Sequence, residues 1–265
     1  MSDLLYEVEN GVAYLTMNRP EVRNALSLDM REQMISLFQS LEGDNSVRCV
    51  VLRGEGEHFM SGGDVKSFME FTELTPDERR VVFVNRIHRN LNGMMYAMRR
   101  LSKPIIASVR GAAAGAGVSI ALSCDLVVAS DDAFFTLAYS KIASSPDGGA
   151  TYYLPRLVGT KMAMEIALLG DRFTAQEAKD LGMINRVVPT ADLQDETRKL
   201  AERLAQGPTV AYGNIKKLIL QSSENSLDQQ LQSEAETFGE TVMSEDWVEG
   251  VSAFNQKRKP QFTGR

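Results

Sequence analysis

Apolar residues follow two different periods along the chain, and the change between them divides it. Val12-Ala13-Tyr14-Leu15-Thr16-Met17 is a short, nearly continuous apolar run closed by Asn18-Arg19-Pro20, and it predicts a strand. Met30, Met34, Leu37, Phe38 and Leu41 then recur at the spacing of an amphipathic helix. Residues 47–52 predict a second buried strand, followed by a loop over 53–57. A helix is predicted from about Pro76 to Leu101, with Asp77 and Glu78 near its start, where acidic groups suit the macrodipole. Pro104 restarts an extended stretch through Val109. A glycine- and alanine-rich run over 111–117 then leads into a small-residue helix ending near Leu122. Residues 126–129 and 133–136 predict further short strands.

From Thr160 onward the pattern is almost wholly helical. Thr174-Ala175-Gln176-Glu177 has the spacing of a capping box, and Gly182 sits where a helix end favours a left-handed residue. Helices are expected around 192–205, 209–221, 227–241 and 244–255. The chain therefore predicts an α/β fold, with a β/α core over 1–190 and a helical region over 191–265. The later helices have no domain-sized core of their own, so their apolar faces are expected to pack on the core or on another subunit.

Composition narrows the function. Of 265 residues, 43% are hydrophobic and 24% charged, which is ordinary for a globular protein. A net charge of −6 repels nucleic acid and anionic lipid, though a local basic patch can still hold a small anion. Cys49 and Cys124 lie in or beside apolar runs and read as free core thiols rather than a disulfide, which suits a reducing compartment. The first residues lack the basic-then-apolar pattern of a signal peptide, and no apolar run nears the ~18 residues of a membrane span. The final Phe262-Thr263-Gly264-Arg265 is not a peroxisomal signal, so a cytoplasmic location is expected.

Two stretches have the physics of an anion-binding site: His58-Phe59-Met60-Ser61-Gly62-Gly63-Asp64 and the 111–117 run. Each follows a predicted strand, bends on glycine and leads toward a helix, leaving backbone N–H groups free to face a ligand. Either alone also reads as a tight strand-to-helix connection. In order along the chain stand Asn18-Arg19-Pro20, Asn24-Ala25-Leu26, Phe59-Met60-Ser61-Gly62-Gly63-Asp64, Lys103-Pro104-Ile105-Ile106-Ala107, Gly115-Ala116-Gly117 and Cys124-Asp125. Leu154-Pro155-Arg156-Leu157-Val158-Gly159, Leu181-Gly182-Met183-Ile184, Val187-Val188-Pro189 and Lys257-Arg258-Lys259-Pro260 follow. This ordered set, spanning nearly the whole chain, resembles the crotonase (enoyl-CoA hydratase/isomerase) superfamily.

The resemblance implies a core of repeated ββα units, with a C-terminal helical region that builds trimers, often paired into hexamers. It implies an acyl-CoA thioester as ligand, with coenzyme A part of the substrate, no separate cofactor and no metal. By position, the N–H groups of Gly63 and Ala116 would form the oxyanion hole. Val22, Arg23 and Ala25, with Gly62, Asp64, Val65 and Lys66, would line the CoA groove. The family usually has glycine at position 116; alanine offers the same N–H.

Which reaction follows depends on the acid/base groups, because an oxyanion hole serves several thioester chemistries. The two glutamates of the family's hydratases fall at Ser119 and Tyr139, and neither is a carboxylate. Ser145-Pro146-Asp147-Gly148-Gly149 resembles the segment where double-bond-shifting enoyl-CoA isomerases, dienoyl-CoA isomerases and bacterial ring-epoxide isomerases place their acid. Asp147 is thus the candidate base, although Pro-Asp-Gly is also a strong turn signal. His58 and His88 read as structural or surface residues, Asp64 as a helix-start residue, and Ser119 lacks a base to make it a nucleophile. The expected activity is an acyl-CoA isomerase that shifts a double bond or rearranges a ring-derived acyl group. The alternatives are an enoyl-CoA hydratase, or an acyl-CoA-binding protein of this fold with little catalysis. The region from Ser67 to Arg99 should shape the acyl pocket, and it carries no diagnostic residue.

Overall fold

The computed structural model describes residues 2–265. The strands are β1 (Leu4–Glu9), β2 (Val12–Met17), β3 (Cys49–Gly54), β4 (Ile105–Val109), β5 (Ala112–Ala114), β6 (Leu126–Ser130), β7 (Phe134–Thr136), β8 (Phe173–Thr174) and β9 (Arg186–Val188). One sheet has the order β1-β2-β3-β4-β6-β9, with β1 antiparallel to β2 and every later pair parallel. The small second sheet has the order β5-β7-β8. The helices are α1 (Leu28–Gly43), α2 (Pro76–Arg86), α3 (Asn92–Arg100), α4 (Ala116–Ser123), α5 (Ala150–Leu169), α6 (Ala175–Asp180), α7 (Leu193–Ala205), α8 (Thr209–Ser222), α9 (Leu227–Thr241) and α10 (Glu245–Asn255).

Alternation along the parallel strands sorts their side chains into two cores. Ala13, Leu15, Val50, Leu52, Ala107 and Val127 join one, together with Met30, Met34 and Phe38 of α1 and Met94 and Met98 of α3. Val12, Tyr14, Val51, Ile106 and Val128 join the other, covered by Leu193, Leu200, Ala201 and Ala205 of α7. Strands buried on both faces read as unbroken apolar runs, which is why β2 and β4 match their predicted spans. The first helix of the C-terminal region thus packs on the sheet itself.

Several elements differ from the sequence reading. The strand expected over 47–52 runs from Cys49 to Gly54, and the last long β-to-α transition comes earlier, with α5 starting at Ala150. The helix expected from Pro76 to Leu101 is α2 and α3 joined by a π-helical stretch, Ile87–Leu91, where the Asn92 N–H donates to the Ile87 carbonyl. The unexpected β5, β8 and β9 have at most three residues each, too short to show a period. β1 has one buried residue and an exposed remainder, so its alternation is muted. The capping box at Thr174 forms with Glu177, and Gly182 has φ +77°.

Two polar anchors, buried Lys103 and the more exposed Asp125, hold the layers in register. The Lys103 ammonium donates to the carbonyls of Leu41 and, at 2.6 Å, Asp44, closing the C-terminal end of α1. The Asp125 carboxylate accepts from the Ile105 N–H at 2.8 Å and from Lys216 at 2.8 Å, tying β4 to α8. Cys49 and Cys124 are free and buried, and burial pushes the Cys49 thiol up to about 12. Among the described residues, no helix is long and apolar enough to cross a membrane.

Candidate active site

One wall of the site is built from backbone. After β3 the chain runs beside β5: the Met60 N–H donates to Ala112 O and the Ala114 N–H to Met60 O, both at 2.9 Å. Fully buried Phe59 and Met60 side chains anchor this segment from below. Its outer side is held by the Leu26 N–H on Gly62 O (2.8 Å) and the Ser61 N–H on Arg23 O (2.9 Å). Gly62 has φ +103°, and a Cβ there would stand 3.0 Å from Ala114 O, so only glycine lets the two bends approach this closely. Ala116 is the first residue of α4, after Gly115, and a first-turn amide has no partner inside its helix. The amides of Gly63 and Ala116 both border one cavity of about 640 Å³. Neither donates to a protein acceptor among the described residues.

The opposite wall is built from side chains. Asp147 sits in a turn where Gly148 has φ +59°, and a Cβ on that glycine would lie 2.9 Å from the Ser119 Cβ. The turn can therefore rest directly on α4. The Tyr139 hydroxyl donates to Asp147 Oδ1 at 2.6 Å, and the Ser119 hydroxyl donates to the Asp147 carbonyl at 2.8 Å. Ser119 and Tyr139, at the two positions where the resemblance puts hydratase glutamates, both hold Asp147. Burial raises the Asp147 carboxyl above the usual carboxylate range, and the Tyr139 hydroxyl and the nearby Arg31 charge restrain that rise. Burial and the Asp147 charge push the Tyr139 phenol up, so it stays a proton donor in its hydrogen bond.

The structure gathers Gly62, Gly63, Asp64, Val65, Ala116 and Asp147 on this one cavity. It leaves Val22, Arg23, Ala25 and Lys66 off its lining. The carbonyls of Val22 and Arg23 stand directly behind Gly62, accepting from the Ser61 hydroxyl (3.1 Å) and the Ser61 N–H (2.9 Å). The Asp64 carboxylate bridges to Arg19 at 3.1 Å, while Asp64 itself precedes a short 3-10 turn at Val65–Phe71. Arg19 also donates to Ala25 O at 2.8 Å, so the pair braces the loop. His58 is structural: its Nδ1 accepts from the Ala112 N–H at 3.2 Å. His88 is exposed on the π-helical stretch.

The cavity's remaining wall comes largely from the 67–99 region expected to shape the acyl pocket, although no single residue there carried a diagnostic signal. Phe68 and Phe83 meet edge to face at 5.1 Å, and Ile87 and Leu91 continue the apolar lining. Two arginines, Arg31 of α1 and Arg86 of α2, also border the cavity. A charge beside an apolar helix stripe is ordinary in a sequence, so neither residue carried a signal.

The chain belongs to the enoyl-CoA hydratase/isomerase family, whose model matches residues 7–265. It is 40% identical over 266 residues to the 1,2-epoxyphenylacetyl-CoA isomerase of Escherichia coli (strain K12), with 100% of both chains covered. It is 33% identical to the short-chain-enoyl-CoA hydratase of Clostridium acetobutylicum, covering 98% of this chain and 97% of that one. The crystal structure of an enoyl-CoA hydratase from Polaromonas sp. JS666 superposes with a TM-score of 0.89 at 34% identity, covering 98% of this chain and 99% of that one. The crotonase resemblance seen in the sequence is thereby borne out. Relatives bear both isomerase and hydratase names, so membership gives the class of chemistry without choosing the reaction.

Proposed function

We propose that the protein is an enoyl-CoA isomerase in which Asp147 is the single base. One observation carries this reading: Asp147 shares a cavity with two unpartnered amides, and the other carboxylate on that lining, Asp64, is held by Arg19. The thioester oxygen sits between the Gly63 and Ala116 N–H groups. Val22, Arg23, Ala25, Gly62, Asp64, Val65 and Lys66 flank the coenzyme. Asp147 takes a proton from the α-carbon of a 3-enoyl thioester. The C–H electron pair forms a double bond between the α-carbon and the thioester carbon as the carbonyl pair moves onto oxygen, giving a dienolate whose charge rests on the thioester oxygen. Protonated Asp147 then returns the proton at the γ-carbon, and the double bond has moved from β,γ to α,β with nothing gained or lost. Two preorganised donors at that oxygen are worth several kcal/mol of barrier. The same enolate chemistry serves rearrangement of a ring-derived acyl group. Hydration would need a positioned water and a second proton carrier, whereas Tyr139 and Ser119 are both engaged in holding Asp147.

Asp147→Asn tests the reading. The amide keeps the shape but cannot accept the proton, so isomerisation of a 3-enoyl-CoA should fall ~10²–10⁴-fold, with the loss in kcat. Calorimetry should find the affinity for a saturated acyl-CoA nearly unchanged. Fast hydration of crotonyl-CoA that persists in the variant would overturn the assignment and favour a hydratase. Failure of the parent protein to bind a saturated acyl-CoA at millimolar concentration would remove the ligand itself.

The same reading includes a homotrimer or hexamer in the cytoplasm. Ile219 of α8, Leu227 and Phe238 of α9 and Phe254 of α10 are exposed large apolar residues on the C-terminal helices, which supports burial against other copies. Light scattering that returns the single-chain mass of 29.3 kDa across micromolar concentrations would contradict assembly.

A further inference from the structure

We propose that the acyl group accepted by this cavity carries a carboxylate remote from the thioester, recognised by Arg31 and Arg86. This deepens the isomerase reading and rests on it for the position of the thioester. Arg31, in the first turn of α1, is 9% exposed. Its Nε donates to the Ser27 carbonyl at 3.1 Å. Its two terminal nitrogens have no protein acceptor and no carboxylate within 4.0 Å among the described residues, yet they are not sealed off, since the only buried side-chain polar atom without a partner is Arg110 Nε. Arg31 itself is one of the residues lining the cavity. Arg86, at the end of α2, reaches the same cavity with its guanidinium 4.9 Å from the Phe71 ring centroid and no carboxylate partner among the described residues.

The other charges around the cavity are already paired. Asp64 is bridged to Arg19 at 3.1 Å, and Lys141 to Asp171 at 3.7 Å. That leaves Arg31 and Arg86 on the lining with Asp147, and Glu32 also lies near Arg31, but neither arginine bridges either carboxylate. A buried cation with no direct partner is costly, and burial and the neighbouring Arg86 work against the charged form of Arg31 more than the nearby Asp147 and Glu32 charges favour it. A planar guanidinium with free donors suits a carboxylate, which it binds in a two-point fork. A carboxylate supplied by the substrate would give these free donors a partner. The apolar stretch of Phe68, Phe83, Ile87 and Leu91 suits the methylene chain that separates it from the thioester. The substrate class is thus the monothioester of an unsaturated dicarboxylic acid.

Binding of saturated thioesters tests this without turnover. Calorimetry should show adipoyl-CoA binding at least about tenfold more tightly than hexanoyl-CoA or the methyl ester of adipoyl-CoA, equivalent to ~1.4 kcal/mol. Arg31→Gln and Arg86→Gln should each bring that ratio close to one. Equal or tighter binding of hexanoyl-CoA overturns the proposal, as does an adipoyl preference that survives both substitutions. An equal preference for acid and methyl ester also overturns it, because the arginines would then be reading a neutral oxygen. If the buried Arg31→Gln variant fails to fold, Arg86→Gln, at the half-buried end of α2, decides the matter. The ratio concerns only recognition of the acyl group, so its failure leaves the Asp147→Asn result standing, and the reverse holds too.

Discussion

The cavity has two unlike walls. On one side stand Gly63 and Ala116, which present only N–H groups fixed by strand-like bonds between Met60 and β5 and by the Leu26–Gly62 contact. On the other stand Asp147, Tyr139 and Ser119, side chains from a turn, a short 3-10 segment and α4. No substitution except proline deletes a main-chain N–H, so the first wall persists while the sequence around it changes. The second can be rewritten residue by residue. On the proposed reading the first wall sets the substrate class and the second selects the reaction, and this fits relatives named for different reactions at similar identity.

Asp147→Asn should separate the walls most sharply, with a ~10²–10⁴-fold loss of isomerisation and intact thioester binding. It should also raise thermal stability at neutral pH. The Asp147 carboxyl titrates above its unfolded value, so its stabilising contribution is full below the unfolded pKa and is lost as pH rises through the folded one. Asparagine removes that loss while still accepting from Tyr139. Thermal melts across pH 4–8 check this; a variant less stable than its parent at pH 7 would contradict the sign.

Gly62→Ala attacks the backbone wall. Its positive φ and the 3.0 Å approach to Ala114 O force the chain to shift, displacing the Gly63 amide. Loss of one oxyanion donor costs ~10²–10³-fold in kcat, so a drop of that order is expected while hydrogen exchange of the β2–β4 core stays unchanged. Tyr139→Phe should be milder: the Asp147 carboxylate loses its hydroxyl donor, and the acid limb of the kcat/KM profile moves to higher pH. A roughly tenfold loss is expected on that limb, from a charge-assisted bond worth ~1.5 kcal/mol or more. An unmoved limb would show that the phenol does not tune Asp147. Ser119→Ala, which touches only the Asp147 carbonyl, should cost about 1 kcal/mol of stability and change kcat less than any other variant here.

The parallel strands and the amphipathic α1 were legible because double-sided burial and a 3.6-residue period leave long-range patterns in the chain. β5 was not, because three alanines inside a glycine-rich run look like loop until β7 is beside them. At the site, the spacing of the glycines marked both bends. The turn at Asp147 was equally visible as a turn. Hidden was the bond from Tyr139 across eight residues, which exists only because the chain folds back over α4. Arg31 and Arg86 were hidden too, since their meaning lies in partners they lack.

The π-helical stretch at Ile87–Leu91 makes chain length itself a variable in this molecule. A π-turn closes its ring one residue later than an α-turn, so removing one residue from it restores α-geometry without rotating the helices on either side. Deleting exposed His88 should leave Met94 and Met98 in the core while drawing in the wall that Ile87 and Leu91 contribute to the cavity. A single-codon deletion there is a route to altered acyl-chain length preference that no point substitution offers.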